Sequence, residues 1–325
     1  MAERQAPPLV HQVTSVLATD ESQWVFREGL SGSGFAIEQL VSQHHDRHDG
    51  GTLGRSGCVE CNVGAMKDNQ LQCSMAVLLC SIRTIRNADE RREMLGELSR
   101  PSKPKILSFF NQHAFNLAWS DEKLRSALTR SDVLLRDGVG IEICLKRLGI
   151  TSGLNSNGTD LIPLLLETMS PRAIAVFGTR DPWLSRATER IRAMGHRVAV
   201  SSDGFGPDRG YVDLCRQLRP EIILLGMGMP RQELLATQLN AELDYPCLII
   251  NGGAVLDFLA NRHPRAPEWM RRARLEWLFR LRQEPKRLAG RYLLGGVHFA
   301  FRVEQLVRDG ARAEGPVNLH PPQSP

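Results

Sequence analysis

The stretch "PEIILLGMGMPRQELLATQLNAELDYPCLIINGG", residues 220–253, holds two apolar runs separated by one helical pattern. The runs Glu221–Met227 and Pro246–Gly252 have the length and aliphatic content of strands covered on both faces. Glycines close both runs, and Pro230 marks the first turn of a helix over 230–243. Two strands joined through a helix lie parallel, so this is one unit of an α/β sheet.

The same alternation extends towards the N-terminus. Strands are predicted at 105–110, 132–136, 173–178 and 197–202, with helices over 120–130, 158–169, 181–195 and 208–219. Ser120, followed by acids, and Thr159 with Asp160 supply helix start signals. The expected architecture is a Rossmann-like, mostly parallel sheet flanked by helices over 75–262, with a basic amphipathic helical appendage over 263–310. Residues 1–74 are polar and aperiodic and read as a weakly ordered extension; the Pro-rich 311–325 reads as a disordered tail.

Charged residues make up 24% of the 325 and mean hydropathy is −0.24, which describes a soluble globular chain. The N-terminus has no apolar core of a secretory leader. The longest apolar run, Met75–Ile82, falls short of the roughly 20 residues a spanning helix needs. Seven cysteines, an odd number set mostly in apolar runs, suit reduced thiols better than a disulfide framework. Cys58 and Cys61, with His44, His45 and His48 upstream and Cys73 and Cys80 downstream, form a candidate zinc cluster. The second pair lacks the C-x-x-C spacing, so an incidental pair and no metal site is the preferred reading.

Ligands of a parallel sheet sit beyond the carboxyl ends of its strands. The residues there are Asn111 and His113; Asp137; Gly178; Gly226, Gly228, Gln232 and Glu233; and Asn251, Gly252, Gly253 and Asp257. So many glycines at strand-to-helix turns point to a nucleotide or phosphate site, since the backbone can approach a ligand and helix N-termini attract anions. The dinucleotide pattern G-x-G-x-x-G fails, because Arg231 and Ile143 stand where third glycines belong. There is no G-x-x-x-x-G-K-[ST], and no D-x-D to grip a metal–diphosphate. A bound diphosphate would therefore be met by guanidinium groups and backbone N–H donors. Asp137, between an apolar strand and a Gly-x-Gly turn, is a candidate general base if burial raises its pKa. Its alternative reading is an N-cap for a helix beginning near Val139.

The segments "LLRDGVGIE", "GTDLIPLL", "AVFGTRD", "DGFG", "PEIILLGMGMPRQE" and "INGGAVLDFLANRHPRAPEWMRRARLEWLFRLRQEPKR" together resemble the WecG/TagA/CpsF family of bacterial glycosyltransferases over about 105–300. That resemblance implies transfer of a sugar from a UDP-sugar to a polyprenyl-pyrophosphate-linked saccharide, inverting and metal-independent, with no cofactor, at the inner face of the plasma membrane. It implies a cytoplasmic, peripheral enzyme of cell-surface or exopolysaccharide synthesis. Carried onto this chain, the catalytic base falls on Asp137 and the active-site asparagine on Asn111. The donor-side P-K-Q-E element falls on Pro230, Arg231, Gln232 and Glu233, and the phosphate-facing arginines fall on Arg280 and Arg287. His113, Asn155 and Asp160 fall in the acceptor or sugar pocket, with His113 an alternative base near neutrality. Two departures, Phe109-Phe110-Asn111 and Asn155–Leu161, fall where the sugar would be read, so the donor's identity does not carry over; a glucuronate or glucose donor suits them.

Residues 265–287 carry seven arginines and one lysine against three glutamates. As one helix, they would set Met270, Ala273, Trp277 and Leu281 on a stripe with Arg271, Arg272, Arg274 and Arg282 around it. That pattern suits an anionic membrane surface met through 265–291. A solvated helix face is the plainer alternative. Nucleic acid is not expected as a partner, because no nucleic-acid motif accompanies the basic cluster. A Rossmann-type oxidoreductase and a catalytically silent homologue are the rival readings, and a homo-oligomer is compatible with the resemblance.

Overall fold

The computed structural model describes residues 59–272 and 275–313. The expected sites at Cys58 and the three upstream histidines, and most of the N-terminal extension, lie outside them. So do Ala273, Arg274 and the side chains of Cys61, Arg271, Arg272 and Arg287.

The described part of the chain opens with α1 (Val59–Cys80) and α2 (Ala88–Ser99), so helix is already present ahead of residue 75. It continues through β1 (Lys105–Phe110), α3 (Gln112–Ser120), α4 (Glu122–Thr129), β2 (Val133–Arg136) and α5 (Val139–Arg147). Next come α6 (Gly158–Thr168), β3 (Ala173–Gly178), α7 (Trp183–Ala193), β4 (Arg197–Ser202), α8 (Asp208–Leu218), β5 (Ile222–Gly226) and α9 (Arg231–Glu242). β6 (Leu248–Asn251), α10 (Val255–Leu259), α11 (Glu268–Arg272), α12 (Glu276–Gln283) and α13 (Pro285–Ala313) complete it. Ser120 does not cap a helix: it ends α3, and Asp121 caps α4 by accepting from Leu124 N. Asn157, rather than Thr159, caps α6. Pro230 occupies the cap position of α9.

The strands form one parallel six-stranded sheet in the order β2-β1-β6-β5-β3-β4. β3 and β6 are buried at every position, as expected of strands with helices on both faces; β4, at an edge, has no buried position. On one face Leu107, Val133, Ile174, Ile222 and Ile250 pack on α2, α6, α7 and α10. On the other, Ile106, Phe177, Ile223 and Ile249 pack on α8 and α9. Phe110 and Leu134, on that second face, pack on α1, α3, α4 and α13. Cys144, Cys215 and Cys247 are buried, and burial pushes each thiol up to about 12, so these cysteines behave as small apolar groups.

β1 and β6 are adjacent, yet α3 leaves β1 for one face and α10 leaves β6 for the other. The helices part there, and the gap beyond the strand ends is where an open α/β sheet binds its ligand.

The expected single helix over 265–287 is not formed. α11 ends at Arg272, α12 starts at Glu276, and Pro285 opens α13. Proline restricts the residue before it to extended backbone, and Glu284 (φ −129, ψ 61) has left the helical region. The stripe read from a continuous wheel is therefore divided between elements. No helix among the described residues is long and apolar enough to cross a membrane.

Candidate active site

A cavity of about 1180 Å3 opens at the gap between β1 and β6. Its floor is built from strand ends and its far wall from α12 and α13. That volume exceeds what an ordinary small ligand fills, which leaves room for two substrates side by side.

Asn111 follows β1 and caps α3: its Oδ1 accepts from His113 N and Ala114 N, both at 3.0 Å. Committing the carbonyl oxygen to the helix turns Nδ2 the other way, where it donates to Asp137 Oδ2 at 3.4 Å. Asp137 follows β2, and its backbone N donates to Phe110 O, so the two strands fix the spacing of the pair. The cap of α5 is Gly138, with φ +89 and no side-chain hydrogen bond; the Asp137 carboxylate is not spent on capping. It is half-buried and lines the cavity. Burial pushes its pKa above the ordinary carboxyl range, while the Asn111 hydrogen bond and the charges of Arg280, Arg291 and Arg136 pull it down.

The turn around Asp137 is held from behind by Arg136, which is 3% exposed. Its guanidinium donates to Ser152 O, Gly138 O, Gly153 O and Glu142 Oε2. Asn155 Oδ1 accepts from Gly138 N at 2.9 Å, so the residue expected in the sugar pocket also braces the turn beside Asp137. His113 lines the cavity next to Asn111.

Across the gap, Gln232 ties two glycine turns together. Its Oε1 accepts from Gly228 N and Gly253 N, and its Nε2 donates to Glu233 Oε1. Gly226, Gly228, Gln232, Asn251, Gly252, Gly253 and Asp257 line the cavity. Asn251 Nδ2 donates to Ser108 Oγ. Gly178 lies behind this rim: a Cβ there would stand 2.4 Å from the Gly226 backbone, at φ +145, so close strand packing accounts for it. Asp160 is also off the cavity lining. Its carboxylate accepts from Asn157 and pairs with Arg265, whose Nη2 also donates to Thr159 O. Pro163, which has no N–H, leaves that carbonyl without its helical donor, and Arg265 supplies one.

Glu233 sits behind the lining, 2% exposed, and its Oε2 has no hydrogen-bond partner. Burial pushes it up to about 7, offset in part by the bond from Gln232. Between the ordinary carboxyl range and that value the folded chain keeps a proton the unfolded chain has released. Stability therefore falls as pH rises through this window. Glu233→Gln, similar in shape and untitratable, is expected to flatten the slope and to gain about 3 kcal/mol on the alkaline side, with little change in acid. Urea unfolding on both sides of the window checks this, and an unchanged slope rules it out.

The appendage adds cavity residues that were not anticipated, among them Glu276, Arg291, Tyr292 and His263. Arg280, which was, stacks over Phe258 at 5.2 Å and faces Asp137. Trp277 packs on Tyr292, joining α12 to α13, and His263 lies 3.6 Å from Glu284. Helical spacing offered a signal: Glu276 precedes Arg280 by one turn, and Arg291 follows Arg287 by one. A second cavity, of about 470 Å3, shares Gly226, Met227, Asp257 and Arg262 with the first. It presents the Phe205 ring, 60% exposed, with Arg180 stacked at 4.0 Å.

Comparison with known proteins bears on this arrangement. The chain is 26% identical over 175 residues to an N-acetylglucosaminyldiphosphoundecaprenol N-acetyl-beta-D-mannosaminyltransferase of Bacillus spizizenii, covering 52% of this chain and 68% of that protein. The Bacillus subtilis protein of the same description is 26% identical over 190 residues, 56% of this chain and 73% of its own length. The family model for "Glycosyl transferase WecG/TagA/CpsF family" matches residues 76–312, which takes in both the sheet and the appendage that closes the cavity. The chain belongs to the glycosyl transferase WecG/TagA/CpsF family of glycosyltransferases.

Proposed function

We propose that the chain moves a sugar from UDP to a lipid-linked saccharide, inverting the anomeric centre and using no metal ion. The observation that carries this is Asp137: a half-buried carboxylate, held by Asn111 and faced by Arg280 and Arg291 from the appendage. An acceptor hydroxyl gives its proton to Asp137 while its oxygen attacks the anomeric carbon from the face opposite UDP. The bond from that carbon to the diphosphate oxygen breaks, and its electron pair leaves on UDP. Arg280 and Arg291 meet the charge that accumulates there, and Arg287 is expected to join them.

The donor lies along the rim of Gly226, Gly228, Gln232 and Gly253. The exposed Phe205 ring offers a stacking platform for its base. Asn111 and Gln232 position the sugar, and His113 and Asn155 border the acceptor. The two Bacillus relatives are named for an acceptor on a lipid diphosphate, and we extend that acceptor class to this chain, within cell-surface or exopolysaccharide synthesis.

A lipid-borne acceptor calls for a membrane surface. α13 exposes Leu293, Leu294, Val297 and Phe301 on one side, with exposed Lys286 and Arg282 near its start. An apolar stripe with flanking cations suits anionic headgroups at the inner face of the membrane. This shifts the proposed contact towards the C-terminal side of 265–291.

The test is UDP release from liposomes carrying a polyprenyl-pyrophosphate saccharide, with a panel of UDP-sugars, with and without EDTA. Release should require both substrates and anionic lipid and persist in EDTA. Loss of activity in EDTA with recovery on manganese removes the arginine mechanism. Absence of UDP release with every donor favours the silent-homologue reading.

A further inference from the structure

We propose that Glu276 selects the donor: its carboxylate accepts hydrogen bonds from the hydroxyl or amide groups of a neutral sugar and disfavours donors whose sugar is itself a carboxylate. This rests on the cleft being a UDP-sugar site. Glu276 stands in the first turn of α12 and lines the main cavity, half-buried. Among the described residues it makes no hydrogen bond or ion pair. Removing a charged acceptor from bulk water without giving it a donor is costly, so its place in the fold is best explained by a donor that arrives with a ligand.

The two cations within electrostatic reach of it are engaged elsewhere. Arg265 is held by Asp160 and Thr159 O, and Arg280, one turn along the same helix, stacks on Phe258. α12 thus offers one cation and one acceptor to the same space. A sugar nucleotide has the matching halves: phosphates for Arg280, and hydroxyls or an amide for Glu276. The phosphates cannot be the partners of Glu276, because both are anionic. Asp137 faces the same space, so a uronate there would meet two carboxylates. Burial pushes the Glu276 pKa up, and Asp160 and Asp137 act in the same direction; Arg280 and Arg265 oppose them.

The experiment measures equilibrium binding of UDP, UDP-N-acetylmannosamine, UDP-glucose and UDP-glucuronate to the full chain, to Glu276→Gln and to Glu276→Ala, with KM and kcat for each donor that turns over. The wild-type chain should prefer a neutral donor to UDP-glucuronate, which keeps glucose and drops glucuronate from the donors that the departures at 109–111 and 155–161 suggested. Both variants should bind UDP as the wild type does, lose about tenfold or more on the preferred neutral donor, chiefly in KM, and narrow the gap to UDP-glucuronate. Unchanged donor preference in both variants overturns the proposal. So does equal weakening of UDP and UDP-sugar, which would mark Glu276 as a docking residue for the appendage. A wild-type chain that fails to bind UDP at all removes the donor-site reading itself, a different result from either.

Discussion

Asp137→Asn is expected to lower sugar transfer by about a hundred- to ten-thousand-fold, the range for losing a positioned general base, while UDP binding survives. The amide matches the carboxylate in shape and can still present an oxygen to Asn111 Nδ2, so the geometry around β1 and β2 is preserved. It cannot take a proton from the attacking hydroxyl. The proposed diphosphate contacts, on Arg280 and Arg291, are untouched by the change. Wild-type activity should also fall on the acid side, at a pH above the ordinary carboxyl range, because burial raises this group and only its ionised form can act. The pH dependence of single-turnover rates, with UDP affinity measured alongside, checks both statements. A variant with near-normal turnover ends the assignment, and His113→Ala would then be the next comparison.

Arg136→Ala should be the most destabilising single change near the site, by about 3–5 kcal/mol, the usual cost of breaking a buried ion pair. Glu142, with 7% of its side chain exposed, loses its buried cation, and the carbonyls of Gly138, Ser152 and Gly153 lose their shared donor. These are the carbonyls that shape the turn beside Asp137, so activity should drop even where the variant stays folded. Denaturant midpoints with an unchanged slope provide the measurement; a loss under about 1 kcal/mol contradicts it.

The sheet was legible because parallel strands covered on both faces are written as unbroken apolar runs, as at 173–178 and 222–226. Rim residues followed from the same reading, since whatever comes after such a strand must stand at its carboxyl end. Glycine at position 178 read as a ligand approach from its place after a strand, and only the Gly226 backbone beside it shows that close packing requires it. Ser120 and Asp121 are both good caps, and nothing local shows that α3 runs up to α4 with no spare residue. The wall from α12 and α13 was hardest to see. Charges and aromatics from 265 to 287 keep a helical rhythm across the ends of α11 at Arg272 and of α12 at Gln283. The contact of Trp277 with Tyr292 joins residues on either side of Pro285.

The position of α13 in the chain sets an order of events. Phe299, Val303 and Leu306 complete the cluster around Phe110 and Phe115, and Arg291 and Tyr292 finish the cavity wall. During synthesis the strand ends and the Asp137 turn leave the ribosome well before any of these. Until α13 emerges, the nascent chain has Asp137 but not the wall that faces it, so the cleft is closed after the sheet that floors it has formed.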